Sequence, residues 1–169
     1  MKTSKRVALC GLLVAVALVL SLVEGMFPLQ AVVPVPGLKL GLANVVTVFA
    51  LTRLRLRDTL WIVVVRVTLA SVFMGSVTAF LFSLFGGLLA MVLMRLLLPG
   101  LGRCFSMPGI SVAGAAAHNI GQIVAAVIVL GTWDVAGYLP FLLVLALPTG
   151  LVTGMVSAVV LGHLDKLHL

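Results

Sequence analysis

Six side chains stand where their chemistry is out of keeping with their neighbours. Lys39, Asn44, Arg66, His118, Asn119 and Gln122 each fall within or beside stretches built mainly of Leu, Val, Ala, Gly and Ile. A cation inside such a stretch costs about 3 kcal/mol or more unless it faces protein, water or a ligand, so each is a functional candidate. Lys39 and Arg66 would neutralise a negative or electron-rich group, while Asn44, His118, Asn119 and Gln122 would supply directional hydrogen bonds. His118 and Gln122 are at i and i+4 and share a helix face, with Ala115 and Asn119 flanking it.

Arg66 sits too deep in its apolar run to reach either headgroup layer, so it needs an acceptor inside the protein. The acids are Glu24, Asp58, Asp134 and Asp165, and all four fall at the predicted ends of apolar runs. No buried carboxylate is therefore expected beside Arg66. Two alternatives follow. Arg66 is satisfied by amides and helix carbonyls and fixes helix packing, or it meets an anionic or carbonyl-rich ligand brought from outside. In the second case the small molecule is held by Lys39 and Arg66 and oriented by Asn44, His118, Asn119 and Gln122.

Other chemistries are set aside. No His, Cys, Asp or Glu set has metal-ligand spacing, no Gly-x4-Gly-Lys-Ser/Thr loop occurs, and no Ser-His-Asp arrangement is suggested, so no metal, cofactor or catalytic residue is nominated. Proton-driven pumping calls for a membrane carboxylate, and none is predicted at the core. The chain carries no engine of its own.

The elements that must position these residues follow from composition. The 169 residues are 63% hydrophobic and 9% charged, with a mean hydropathy of +1.35. A soluble domain is only about half apolar, so this is an integral membrane protein of the all-α class. At about 20 residues per span, the length predicts one domain with six transmembrane helices. They are expected over residues 7–23, 38–51, 59–73, 77–98, 110–130 and 139–164. Breaks between them are marked by Gly75-Ser76, by the Pro- and Gly-rich stretch from Pro99 to Gly109, and by Thr132 to Tyr138. Pro148 is read as a tolerated kink. The three prolines between Glu24 and Gly37 exclude a regular helix there, and this still apolar segment is expected to fold over the bundle as a lid.

Lys2, Lys5 and Arg6 resemble the start of a signal peptide, but the run that follows lacks a small-x-small cleavage pattern and is read as a retained first helix. The net charge of +7 comes from basic residues that sit singly or in short clusters, which excludes a nucleic-acid partner and points to topology instead. By the positive-inside rule both termini are cytoplasmic and the Glu24–Gly37 segment is outside. Membrane lipid is then the first partner. Cys10 and Cys104 are expected as free thiols. In the first helix, Gly11 and Ala15 form a small-xxx-small pair that admits another helix closely, from within the bundle or from a partner subunit.

Several segments resemble a known family: Val35 to Val46, reading Val-Pro-Gly-Leu-Lys-Leu-Gly-Leu-Ala-Asn-Val-Val; Arg66 followed by Gly75; Phe82 to Gly87; and Gly114 to Gln122, containing His-Asn-Ile-Gly-Gln. Together they are similar to the Gx transporter family, also described as heptaprenyl diphosphate synthase component I, over most of the chain. That family in turn is similar to the substrate-binding S components of energy-coupling factor transporters. The resemblance implies a bacterial cytoplasmic-membrane protein of six helices that binds a vitamin-like substrate from outside. It further implies a transmembrane coupling subunit against Gly11 and Ala15, and a shared ATPase pair that supplies the energy. A synthase label also implies an association with isoprenoid or quinone synthesis, or with flavin-dependent electron transfer, as a membrane anchor. Catalysis itself is not expected: prenyl chain elongation binds Mg²⁺ and diphosphate through aspartate-rich motifs, and this chain has no paired acids.

Overall fold

A computed structural model describes residues 3–26 and 39–166. Six α-helices account for most of them: α1 Thr3–Gly25, α2 Asn44–Arg53, α3 Leu56–Met74, α4 Val77–Leu97, α5 Met107–Leu130 and α6 Leu139–Lys166. Short 3₁₀ turns follow α4 at Leu98–Gly100 and precede α6 at Asp134–Tyr138. The expected lid falls, from residue 27 to Gly37, outside the described residues.

Helix ends sit where capping chemistry puts them. Gly75 ends α3 in the left-handed conformation, at φ 62°, and Ser76 caps α4 by accepting from the Ala79 N–H. Ser106 does the same for α5, with Pro108 in its first turn. Pro148 lies inside a continuous α6.

The tightest packing joins α4 to α5 and α5 to α6, and small residues make it possible. A Cβ on Gly121 would stand 2.7 Å from the Phe85 carbonyl oxygen and 2.8 Å from the Gly86 Cα. The two helix backbones therefore nearly touch. Apolar clusters fill the bundle on either side of its middle: Phe82, Ile123 and Leu142 in one, and Val48, Val63, Met94 and Ile110 in another. A third, of Leu13, Ala17, Val46 and Ile62, seats α1 on α2 and α3.

Large apolar side chains also cover the outside. Phe73 is 69% exposed and Ile128 67%, and the outward faces of all the long helices continue this pattern. An apolar exterior of this extent suits hydrocarbon rather than water. Four helical stretches are long and apolar enough to cross a membrane: Thr3–Gly25, Val77–Gly100, Met107–Leu130 and Asp134–His163. The expectation of six equivalent spans is thus refined for two elements. α2, with 10 residues, is about 15 Å long, half a hydrocarbon core of about 30 Å. α3 has 19 residues but carries Arg57, Asp58 and Arg66.

The shortness of α2 corrects a boundary. Its helix starts at Asn44, not Leu38, and residues 39–43 run as a non-helical strap that turns into it. Lys39 and Gly41 therefore do not lie on a helix. At the opposite end of α1, Arg6 pairs with Asp58 at 3.7 Å, which sets the starts of α1 and α3 at one face of the bundle.

Candidate functional site

The strap 39–43 passes beside the middle of α5; its last three carbonyls, of Gly41, Leu42 and Ala43, accept from the first N–H groups of α2, but the N–H and carbonyl of Lys39 and the N–H groups of Gly41 and Leu42 have no helix or sheet to bond them. Polar groups buried in an apolar bundle need partners, and two side chains supply them. The Gln122 amide takes both groups of Lys39: the Lys39 N–H donates to Oε1 at 2.8 Å, and Nε2 donates to the Lys39 carbonyl at 2.6 Å. The Glu24 carboxylate, near the end of α1, accepts from the N–H of Gly41 and, at 3.2 Å, from that of Leu42. Gly41 turns the chain with φ +86°, a conformation that favours glycine, and the helix starts three residues on. A carboxylate just ahead of a helix N-terminus also sits favourably in the helix dipole.

Asn119 completes this bracing. Its Nδ2 donates to the Leu142 carbonyl on α6 at 2.6 Å, and its Oδ1 accepts weakly from Gln122 Nε2 at 3.4 Å. Asn119 and Gln122 are thus occupied by backbone and by each other.

Arg66, His118 and Asn44 are arranged differently. Arg66 is 4% exposed and donates from Nη1 to Ser21 Oγ at 3.3 Å. Its Nε and Nη2 have no hydrogen-bond partner among the described residues. Those two nitrogens form the side-on fork of the guanidinium, whose parallel N–H groups match the two oxygens of a carboxylate or phosphate group. Nη2 faces Gly87 on α4, where a Cβ would approach it to 3.3 Å. The ring of His118 lies between Gly86 on α4 and Gly41 of the strap; a Cβ on Gly86 would stand 2.9 Å from Nδ1, and one on Gly41 would stand 3.1 Å from Cδ2. Neither His118 nitrogen, nor either polar atom of the Asn44 amide, has a hydrogen-bond partner among the described residues. Thr47 and Ser83 leave buried hydroxyls open in the same way.

The six residues singled out in the sequence are therefore all buried, yet they divide. Arg66, His118 and Asn44 keep open donors and acceptors, Asn119 and Gln122 do not, and Lys39 contributes its backbone to the bracing. Lys39 lies beside Gln122 at 8% exposure. Glu24 is a correction. It was placed with the interfacial acids, whereas it is 5% exposed and has Lys39 and Arg66 as the cations in electrostatic range. A buried carboxylate exists after all. Its one sequence signal is its spacing: Glu24 follows Ser21 by three residues, one turn along the same face of α1.

Gly11 and Ala15 lie on an exposed face of α1, and a Cβ on Gly11 would meet nothing within 4 Å. Among the described residues, nothing covers this face at Gly11, and Ala15 is exposed beside it. Two cavities also mark the surface. One of about 550 Å³ runs between α1, α2 and α6, lined by Leu13, Leu20, Leu42, Phe49 and Val156 among others. A second, of about 460 Å³, lies over Phe85, Leu89 and Val124 between α4 and α5. Both are apolar, and neither includes the open groups of Arg66 and His118. No three His, Cys, Asp or Glu side chains come together as a metal site among the described residues.

Compared with known proteins, the chain matches a family model described as heptaprenyl diphosphate synthase component I over residues 13–160. No curated protein and no solved structure matches it.

Proposed function

Because this chain belongs to the heptaprenyl diphosphate synthase component I family, described as one component and so implying others, we propose that it is a non-catalytic binding subunit of a membrane transporter. It takes up a small anionic molecule, of vitamin, flavin or isoprenoid kind, from the outer face of a bacterial cytoplasmic membrane. Energy comes from a coupling subunit and ATPases, since the chain has no nucleotide-binding loop. The observation that supports this most is the unpaired Nε and Nη2 of the buried Arg66 guanidinium. Leaving such groups unmade costs about 1–3 kcal/mol each, more for charged ones. A ligand oxyanion would recover that cost at the guanidinium, with the single N–H of a neutral His118 and the Asn44 amide as further donors.

The non-catalytic reading rests on the scarcity of acids: four in the chain, with none adjacent in sequence as an aspartate-rich motif requires. Orientation rests on the basic residues. Lys5 and Arg6 begin α1, Arg53, Arg55 and Arg57 join α2 to α3, and Arg95 and Arg103 join α4 to α5. An up-and-down bundle brings all of them to the end marked by the Arg6–Asp58 pair, the cytoplasmic end by the positive-inside rule.

The family description itself favours a second reading, in which the chain is a membrane subunit that anchors or assists isoprenoid or quinone synthesis or flavin-dependent electron transfer. Native mass spectrometry of protein extracted gently from its own membrane separates the two. We expect a discrete small molecule on the wild type, with a coupling subunit and ATPases co-purifying. Occupancy should fall about 30-fold or more in folded Arg66→Gln, as for other buried charge partners. Retention of the molecule by both Arg66→Gln and His118→Ala would move the site elsewhere. An empty wild type with a synthase or redox protein attached would establish the second reading.

A further inference from the structure

We propose that this site takes a ligand bearing a single negative charge, and that Glu24 sets that number. The inference rests on the binding-subunit reading above. It begins with the formal charges buried together, each group taken in its ordinary ionisation at neutral pH: Lys39 and Arg66 positive, Glu24 negative and His118 neutral. One positive charge is left over. Uncompensated charge in a low-dielectric interior is costly, so the occupied state is most favourable when the ligand brings one negative charge and no more.

Glu24 does not fill this role itself. Its carboxylate receives the N–H groups of Gly41 and Leu42, so it is tied to the strap instead of facing the guanidinium fork. It acts as a fixed countercharge. Arg66 is held in turn by Ser21 through Nη1, which leaves Nε and Nη2 side by side and open. Two parallel donors suit two oxygens on one centre. A monocarboxylate or a phosphodiester satisfies both the geometry and the charge. A diphosphate or a dicarboxylate matches the fork but overloads the site by at least one charge.

Other titratable groups do not alter the count. Arg6 and Asp58 form their pair at the far end of α1 and α3, and Glu24 has only Lys39 and Arg66 as cations in range among the described residues.

Charge substitution with rescue tests the proposal. Glu24→Gln keeps a carbonyl oxygen for the strap and leaves two formal positive charges; Lys39→Gln leaves none; the double variant returns to one. The species bound to the wild type, identified by native mass spectrometry, should carry one acidic group. Acetate should displace it at lower concentration than sulfate does. We expect Glu24→Gln to shift the acetate-to-sulfate preference toward sulfate by about tenfold or more, and Lys39→Gln to reduce occupancy by a similar factor. The double variant should recover wild-type occupancy and preference. A purely structural role for Glu24 predicts the reverse, a double variant worse than either single one, and that result overturns the proposal. So does a wild-type occupant that is neutral or multiply acidic, even if Arg66→Gln releases it, in which case the binding-subunit reading survives alone. An empty wild type defeats both. Transfer into phosphatidylcholine vesicles, with and without phosphatidylglycerol, distinguishes a lipid phosphodiester from a free acid as the source of the single charge.

Discussion

Gln122 shows that the right residue type in the right place can already be engaged. Its amide meets the N–H and the carbonyl of Lys39 at once, a pairing that an ionised carboxylate, which has no donor, cannot reproduce. Replacement by Leu keeps the volume and orphans both backbone groups. Gln122→Leu should therefore lower stability by on the order of 2–4 kcal/mol, read as an earlier thermal unfolding midpoint in detergent. Burial of the six polar residues was legible in the sequence because each interrupts an apolar run. How they divide was not, because hydrogen-bond partners 83 residues apart leave no periodic mark. Glu24 escaped for a related reason. At the end of an apolar run a carboxylate reads as interfacial, and only the return of the strap over it makes the position an interior one.

At the scale of elements, helix identity was the easier part. Long apolar runs bounded by Gly75-Ser76, Pro99-Gly100 and Gly131 translate directly into α3 to α6. The start of α2 was harder, since Lys39 to Ala43 has ordinary helix-forming residues around one glycine. What decides against helix there is tertiary: Gly41 turns through positive φ, and Glu24 and Gln122 hold the backbone that a helix would have bonded internally. Small residues on α5 were visible as a packing signal, though their exact partners were not. Gly121 now has one. Gly121→Val would drive a branched side chain into the Phe85–Gly86 backbone, forcing α4 and α5 apart. A loss of roughly 3 kcal/mol or more is expected, measurable by urea or thermal unfolding. Because Gly86 also backs His118, ligand occupancy should fall in the same variant.

The whole molecule is an apolar shell around a polar middle, with one unusual patch on the shell. Gly11 and Ala15 face outward, and among the described residues nothing stands within 4 Å of a Cβ on Gly11. Gly11→Leu should leave the isolated protein as stable as the wild type, within about 0.5 kcal/mol. In cells it should sever the coupling subunit, seen as its loss from affinity-purified complexes and as loss of uptake; unchanged uptake would move the coupling contact to another face, and a wild type that supports no uptake would favour the anchoring role. Composition alone made the membrane class and the all-α architecture legible, since no soluble fold tolerates so much outward Leu, Val and Phe. Which helices cross, and which are shortened by the strap, depended on contacts between α1, α2 and α5. Those contacts also impose an order in time. Glu24 precedes the strap in the chain, but Gln122 is made 83 residues after Lys39, roughly 4 to 17 s later at ordinary elongation rates. While the ribosome is still producing α5, the strap can be tied at Gly41 and Leu42 only; the loop around Lys39 closes after most of the protein has entered the bilayer.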